Sequence, residues 1–456
     1  MRALFITLPF LFIGINSATA DVLPIQANYV STRAQEGIMS FDHFVEFNAD
    51  ARQSDTALQG WARQAIEKQL MFLIGSMRWH FSVPKGDHKI TELRLAPKSA
   101  QGVTMIASYH YEGTVQIRED VPLPLRLVLP NNPYRFYWDG LVRDGFKISA
   151  PCTQKHYRWP SDLFYFWHPY APACPWKRGE DYQEIQPEIV LKNNDETTYP
   201  EYDRLVDPAT RTISMWILVG PASNKSMNPM TSPDINAQTF CEFREHFLRK
   251  GFSSRRWTSK EIRRKGNTLF AKLPWVEDFE KQGARSRILI HAFYGHTAVK
   301  DFSRAFYHFL EDGVENASMV VYAGHAGLGK TLAPSVAEKI GLLRMRPNRD
   351  RYQIYFFNGC STYAYYTQPY FTRKASALDP EGTKNLDIIT TGLATGEDFL
   401  GSSSLAAIDA VTDWADGGAA ASYQEILKRA GGSNLLSVSG DEDNPSSPQK
   451  PFQTRD

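Results

Sequence analysis

The chain has 456 residues, with 51 Lys and Arg against 50 Asp and Glu, and 42% of it is hydrophobic. That balance excludes a global electrostatic pull toward nucleic acid or an anionic membrane, and the length leaves room for two cores. No segment approaches the roughly 20 consecutive apolar residues of a membrane-spanning helix.

The start reads as an export signal. Met1-Arg2 is a short positive lead, residues 4–15 are an apolar run, and Ala18-Thr19-Ala20 offers small residues for cleavage before Asp21. Position 21 has no cysteine to receive a lipid. Residues 1–20 are therefore expected to be a signal peptide and the remainder to be secreted, periplasmic or extracellular.

Residues 21–208 predict an α+β domain. Leu58, Trp61, Ala65, Leu70, Phe72 and Leu73 form the apolar face of a helix over 58–77. Strands are expected at 90–95, 103–111, 114–117 and 123–129, with a hairpin turn at Tyr111-Glu112-Gly113-Thr114. Strands in succession without helices between them point to an antiparallel sheet. Cys152 and Cys174 then bracket an aromatic segment with Tyr157, Trp159, Phe164, Tyr165, Phe166, Trp167 and Tyr170, and Trp176 follows. In an oxidising compartment the two cysteines most simply form a disulfide. The alternative there is a zinc site with His156 and His168, but the spacing matches no standard ligand pattern, and no metal or other cofactor is expected. The aromatic density reads as a satellite core, with a sugar- or peptide-binding surface as the other reading.

Polar residues at 199–211 mark a boundary, and residues 209–430 alternate strands and helices. Strands are predicted at 212–219, 286–293, 318–323, 352–357 and 386–391. Helices are predicted at 236–250, 299–312, 332–343, 402–414 and 422–430. Phe302, Ala305, Phe306, Phe309 and Leu310 share one face of the second helix. Such alternation signals a mostly parallel sheet covered on both faces. Cys241 falls in the first helix and reads as a buried apolar residue. Arg255, Arg256, Lys260, Arg263, Arg264 and Lys265 form a local basic run, read as a solvated face rather than a binding patch. Gly, Ser, Pro, Asp and Glu dominate 431–456, predicting a disordered tail.

Two strands in this half end in chemistry. Residues 318–323 run into Gly324-His325-Ala326, and 352–357 run into Asn358-Gly359-Cys360. A crossover helix between them makes the pair parallel and neighbouring, which brings His325 and Cys360 together at the carboxyl edge where open α/β sheets place their sites. A cysteine beside a histidine is a candidate nucleophile and base. His291 and His296 are weaker stand-ins for the base, and Asp379, Glu397 and Asp398 are candidates to line a specificity pocket. A Cys241–Cys360 disulfide is the competing possibility for the thiol.

Residues 324–331 also match the phosphate-loop pattern G-x-x-x-x-G-K-[ST], ending in Lys330-Thr331. A nucleotide site needs a carboxylate for Mg²⁺ at the end of a second apolar strand. The other strands end in His291, Cys360 and Thr391-Gly392 instead, so nucleotide binding is the minor alternative.

Over about 212–430 the chain resembles the caspase-like cysteine peptidases, the group of caspases, legumains, gingipains and clostripain. In that group a strand ending in His-Gly precedes a neighbouring strand ending in the nucleophilic Cys. The resemblance implies His325 as catalytic histidine, Cys360 as nucleophile, and backbone amides around Gly324, Ala326 and Gly359 as the oxyanion site. It implies a peptide or protein substrate and no cofactor; neither a nucleic-acid partner nor a membrane span is expected. Ala326 stands where the group usually has Gly, and Gly359 where Ala is common. An exported, non-catalytic binding protein on the same scaffold is the alternative.

Overall fold

The computed structural model describes residues 29–49, 53–98, 104–135, 142–144, 147–149, 152, 167–172, 174–192, 197–221, 226–266, 273–297, 304–339, 345–396, 400–431 and 434–440. In the first half, β1 (Tyr29–Ser31) and β2 (Ala34–Asn48) precede α1 (Asp55–Arg78). They are followed by β3 (Ser82–Pro97), β4 (Thr104–Arg118) and β5 (Leu127–Pro130). A short ladder of β6 (Val142–Asp144) and β7 (Lys147–Ser149) leads to β8 (Tyr182–Ile185) and β9 (Glu188–Leu191).

An antiparallel sheet in the order β3-β4-β2-β9 forms, as the run of consecutive strands predicts. Helix α1 is capped by Ser54, whose side chain accepts from the Ala57 amide, and lays Leu58, Ala62, Ile66, Leu70 and Leu73 against the sheet. Two details depart from expectation. The long strand β2 has no counterpart among the predicted elements. Tyr111–Thr114 is not a turn but the middle of β4, and Gly113 leaves room for the Tyr111 hydroxyl, which a Cβ there would strike.

Cys152 and Cys174 form the expected disulfide, while neither Cys241 nor Cys360 is in one. Trp167, Trp176 and Tyr182 join Cys152 in the core beneath α1, whereas Tyr170 is exposed. Residues 153–166, with His156, lie outside the described residues, as do the expected signal peptide and residues 441–456.

The second half contains β10 (Thr212–Val219), α2 (Ile235–Arg249), β11 (Ser253–Arg256), α3 (Ser259–Gly266), β12 (Trp275–Gln282), β13 (Arg287–Tyr294) and α4 (Arg304–Asn316). Then follow β14 (Met319–Ala323), α5 (Pro334–Lys339), β15 (Gln353–Asn358), α6 (Tyr363–Lys374), β16 (Leu386–Thr391), α7 (Leu400–Ala415), α8 (Tyr423–Ala430) and β17 (Leu436–Ser439). Nine strands make one sheet in the order β1-β17-β16-β15-β14-β10-β13-β12-β11. Its centre, β16-β15-β14-β10-β13, is parallel. Antiparallel strands complete both edges.

Buried side chains on both faces explain the continuous apolar runs of the central strands. Met319, Val321 and Ala323 enter the core beneath α2, α7 and α8, while Val320 and Tyr322 enter the opposite core beneath α4 and α6. The sheet also crosses the expected boundaries. Strand β1, from the first half, pairs with β17, and residues 434–440, expected to be disordered, carry that strand. Their apolar members Leu435, Leu436 and Val438 are buried, which the surrounding polar composition obscures.

Candidate active site at the carboxyl edge of the sheet

β14 and β15 are parallel neighbours, with Ala323 opposite Asn358 at the last rung. His325 and Cys360 each lie two residues beyond that rung. The alternation of side chains agrees: Ala323 belongs to the core under α7, and Asn358 Nδ2 donates to Ser403 Oγ (2.8 Å) and Ser404 Oγ (3.0 Å) on the same helix. Backbone meets backbone between the two loops, since a Cβ on Gly359 would stand 2.5 Å from Gly324 O and 3.5 Å from Ala326 N. Cys360 is half-buried and in no disulfide, and His325 is exposed.

Three tyrosines fasten the histidine loop. Tyr322 Oη donates to His325 O (2.8 Å), Tyr366 Oη to Ala326 O (2.6 Å) and Tyr370 Oη to Leu332 O (2.7 Å). Burial raises the pKa of all three hydroxyls, so they keep the protons they donate. The Ala326 methyl is buried in the core under α4 and α6, so it points away from the edge rather than crowding it.

Threonines hold the cysteine loop. Thr391 Oγ1 and Thr395 Oγ1 (3.3 Å) both donate to Gly359 O, and Asn434 Nδ2 donates to Thr395 Oγ1 (3.3 Å). Thr362 Oγ1 donates to Phe357 O (2.6 Å) and accepts from the Thr391 amide (2.9 Å). Ser361, in the left-handed region at φ 51°, turns the chain from β15 into α6, and its amide donates to Leu393 O (3.1 Å). The Cys360 thiol approaches Thr395 O at 4.0 Å. It lies just ahead of α6, where helix amides favour negative charge.

The first-half sheet braces this turn from behind. Tyr363 Oη donates to buried Glu36 Oε1 (2.7 Å), and Glu36 also meets Lys192 (2.8 Å) and Lys85 (3.5 Å). Burial pushes the Glu36 carboxyl up, but the two ammonium groups outweigh it and its pKa lies below the ordinary value. Gln116 Nε2 of β4 donates to Leu435 O (3.1 Å), which also accepts from the Gly392 amide just after β16.

Other candidates fall elsewhere. His291 pairs with Asp278 (2.6 Å) and stacks on Trp216 in mid-strand. His296 follows β13, three strand spacings from β15, or about 14 Å. Asp379 accepts the amides of Gly382 (2.9 Å) and Thr383 (3.3 Å) in the turn before β16, at the opposite end of the sheet. Glu397 and Asp398 lie outside the described residues. Cys241 Sγ donates to Pro229 O (3.5 Å), and burial raises its pKa. In the basic run, Arg255 pairs with Glu261 and Asp278, Lys265 pairs with Asp312, and Arg256 stacks on Trp275.

The phosphate-loop match loses its donors to the loop itself. The amides of Gly329 and Thr331 donate to Ala326 O, and that of Lys330 to Gly327 O. The helix that follows starts only at Pro334 and has 6 residues. Among the described residues, no group of three or more His, Cys, Asp or Glu is placed to hold a metal ion, and no helix is long and apolar enough to cross a membrane. The threonines at 391 and 395 and Asn434 escape sequence reasoning, because their role exists only once β16 lies beside β15. No family model, curated protein or solved structure matches this chain.

Proposed function

We propose that this chain is an exported cysteine peptidase of the caspase-like kind. The observation that carries the reading is the register of β14 and β15, whose last rung lies two residues before both His325 and Cys360, a cysteine outside any disulfide. The Cys360 thiolate attacks the carbonyl carbon of a peptide bond. The tetrahedral intermediate collapses as the His325 imidazolium gives its proton to the departing amine, leaving a thioester. Water, giving a proton to His325, then hydrolyses the thioester to a free acid and restores the thiolate. Export is supported by the signal-like start and by the Cys152–Cys174 disulfide, which suits an oxidising compartment.

Alkylation with iodoacetamide at neutral pH tests the thiol. Cys360 in the folded chain is expected to react faster than in a urea-denatured control. His325→Ala is expected to slow peptide hydrolysis by about 10²-fold or more while leaving the Tm unchanged. A Cys360 that alkylates only after unfolding makes the chain a binding protein instead.

A further inference from the structure

We propose that Thr391 and Thr395 are positioning residues of this site: their hydroxyls clamp the Gly359 carbonyl and so turn the Cys360 N–H toward the His325 loop, where it donates to a developing oxyanion. The proposal deepens the peptidase reading and rests on it. The argument is one of strand geometry. In a parallel ladder, a residue's own N–H and C=O face one neighbouring strand, and those of the next residue face the other. Asn358 O faces β14, where it accepts from the Gly324 amide at 3.1 Å. Gly359 O faces β16 and takes the two threonine hydroxyls. The Ser361 amide also faces that side, donating to Leu393 O at 3.1 Å. Cys360 lies between them, so its amide faces β14 and the His325 loop. The trans peptide linking Gly359 to Cys360 enforces the same result, because its C=O and N–H point in opposite directions.

The clamp is built to resist rotation of that peptide. Thr391 is fully buried and belongs to β16 itself, and its amide is tied to Thr362 Oγ1 at 2.9 Å. Thr395 is backed by Asn434 Nδ2 at 3.3 Å. A valine at either position would fill the same space but donate nothing to Gly359 O, and the peptide plane would lose its fixed orientation. An oxyanion donor acts only if it is aimed before the charge develops, so the effect belongs to acyl transfer and not to the thiol as such.

Two reagents on the same thiol separate these effects. The sulfur displaces iodide from the methylene carbon of iodoacetamide, giving a thioether without forming an oxyanion. p-Nitrophenyl acetate is attacked at its carbonyl, passes through a tetrahedral oxyanion, and leaves an acetyl thioester and p-nitrophenolate. Both rates are measured on the full chain, with Cys360→Ala as the background for reaction elsewhere. Thr395→Val is expected to slow acylation by about 10- to 100-fold while alkylation stays within about 2-fold. Thr395→Ser, which keeps the hydroxyl, is expected to restore acylation to near the wild-type rate. Thr391→Ser, a milder change at the buried position, is expected to behave likewise. If Thr395→Val leaves both rates unchanged, or lowers both together, the clamp is refuted while the peptidase reading stands. If wild-type Cys360 alkylates but is not acylated above background, the peptidase reading fails and the clamp fails with it.

Discussion

Lys374 shows how far burial can move a single residue. Its side chain is 1% exposed, and its Nζ donates to Asn348 O (2.6 Å) and Arg351 O (2.7 Å). Burial first, then the cations of Arg351 and Arg204, lower its pKa from the ordinary 10.5 to about 7. Between these values the unfolded chain holds a proton that the fold has released, so this residue makes stability rise with pH from about 7 toward 10.5. The slope is one proton's worth, about 1.4 kcal/mol per pH unit. Buried tyrosines with raised pKa oppose it only above about pH 10, where they ionise in the unfolded chain. Lys374→Met should therefore remove that rise when urea unfolding is compared at pH 7, 8 and 9. An unchanged slope would mean that Lys374 stays charged in the fold. Nothing in the local sequence Thr372-Arg373-Lys374 distinguishes this lysine, because its burial comes from the loop before β15 folding over the end of α6.

Between elements, the contact that shapes the site is the one joining the β14 and β15 loops. Gly359 stands where the two loops come closest, and the fold supplies the reason for a glycine there. A methyl there would sit 2.5 Å from Gly324 O, a backbone atom that cannot swing aside. Gly359→Ala is expected to cost about 1–3 kcal/mol, seen as a lower Tm, and to slow Cys360 acylation by separating the loops. A wild-type Tm would show that the loops yield freely. The parallel pair itself was legible in the sequence, since two apolar runs with a helix between them have essentially one handed solution. The misread hairpin at 111–114 has the opposite lesson. Glycine there serves a ring neighbour in the same strand, and a local turn pattern cannot reveal that.

For the whole molecule, the two halves are interlocked rather than merely joined. The first strand closes the edge of the second-half sheet, and Glu36, Lys85 and Gln116 of the first half brace the α6 turn and the residue before β17. The first half carries the disulfide, whose cysteines are 22 residues apart. Reducing it should remove about 3 kcal/mol of stability. Thiol titration of the denatured, unreduced chain should count two free cysteines, Cys241 and Cys360. A count of four would show that the disulfide does not form.

What the sequence determined by itself follows from local periodicity and chain connectivity. It specified the helix over 58–77, the parallel centre of the sheet, the Cys152–Cys174 pairing and the convergence of the residue 325 and 360 loops. Each of these rests on residues near one another in the chain or on a rule with few solutions. Tertiary structure alone decided the antiparallel edges, the return of residues 436–439 to pair with β1, and the threonine clamp on Gly359. These join segments far apart in sequence, and the residues involved are small, polar or short in run, so they carry no periodic signal. Their partners exist only after the central strands have assembled.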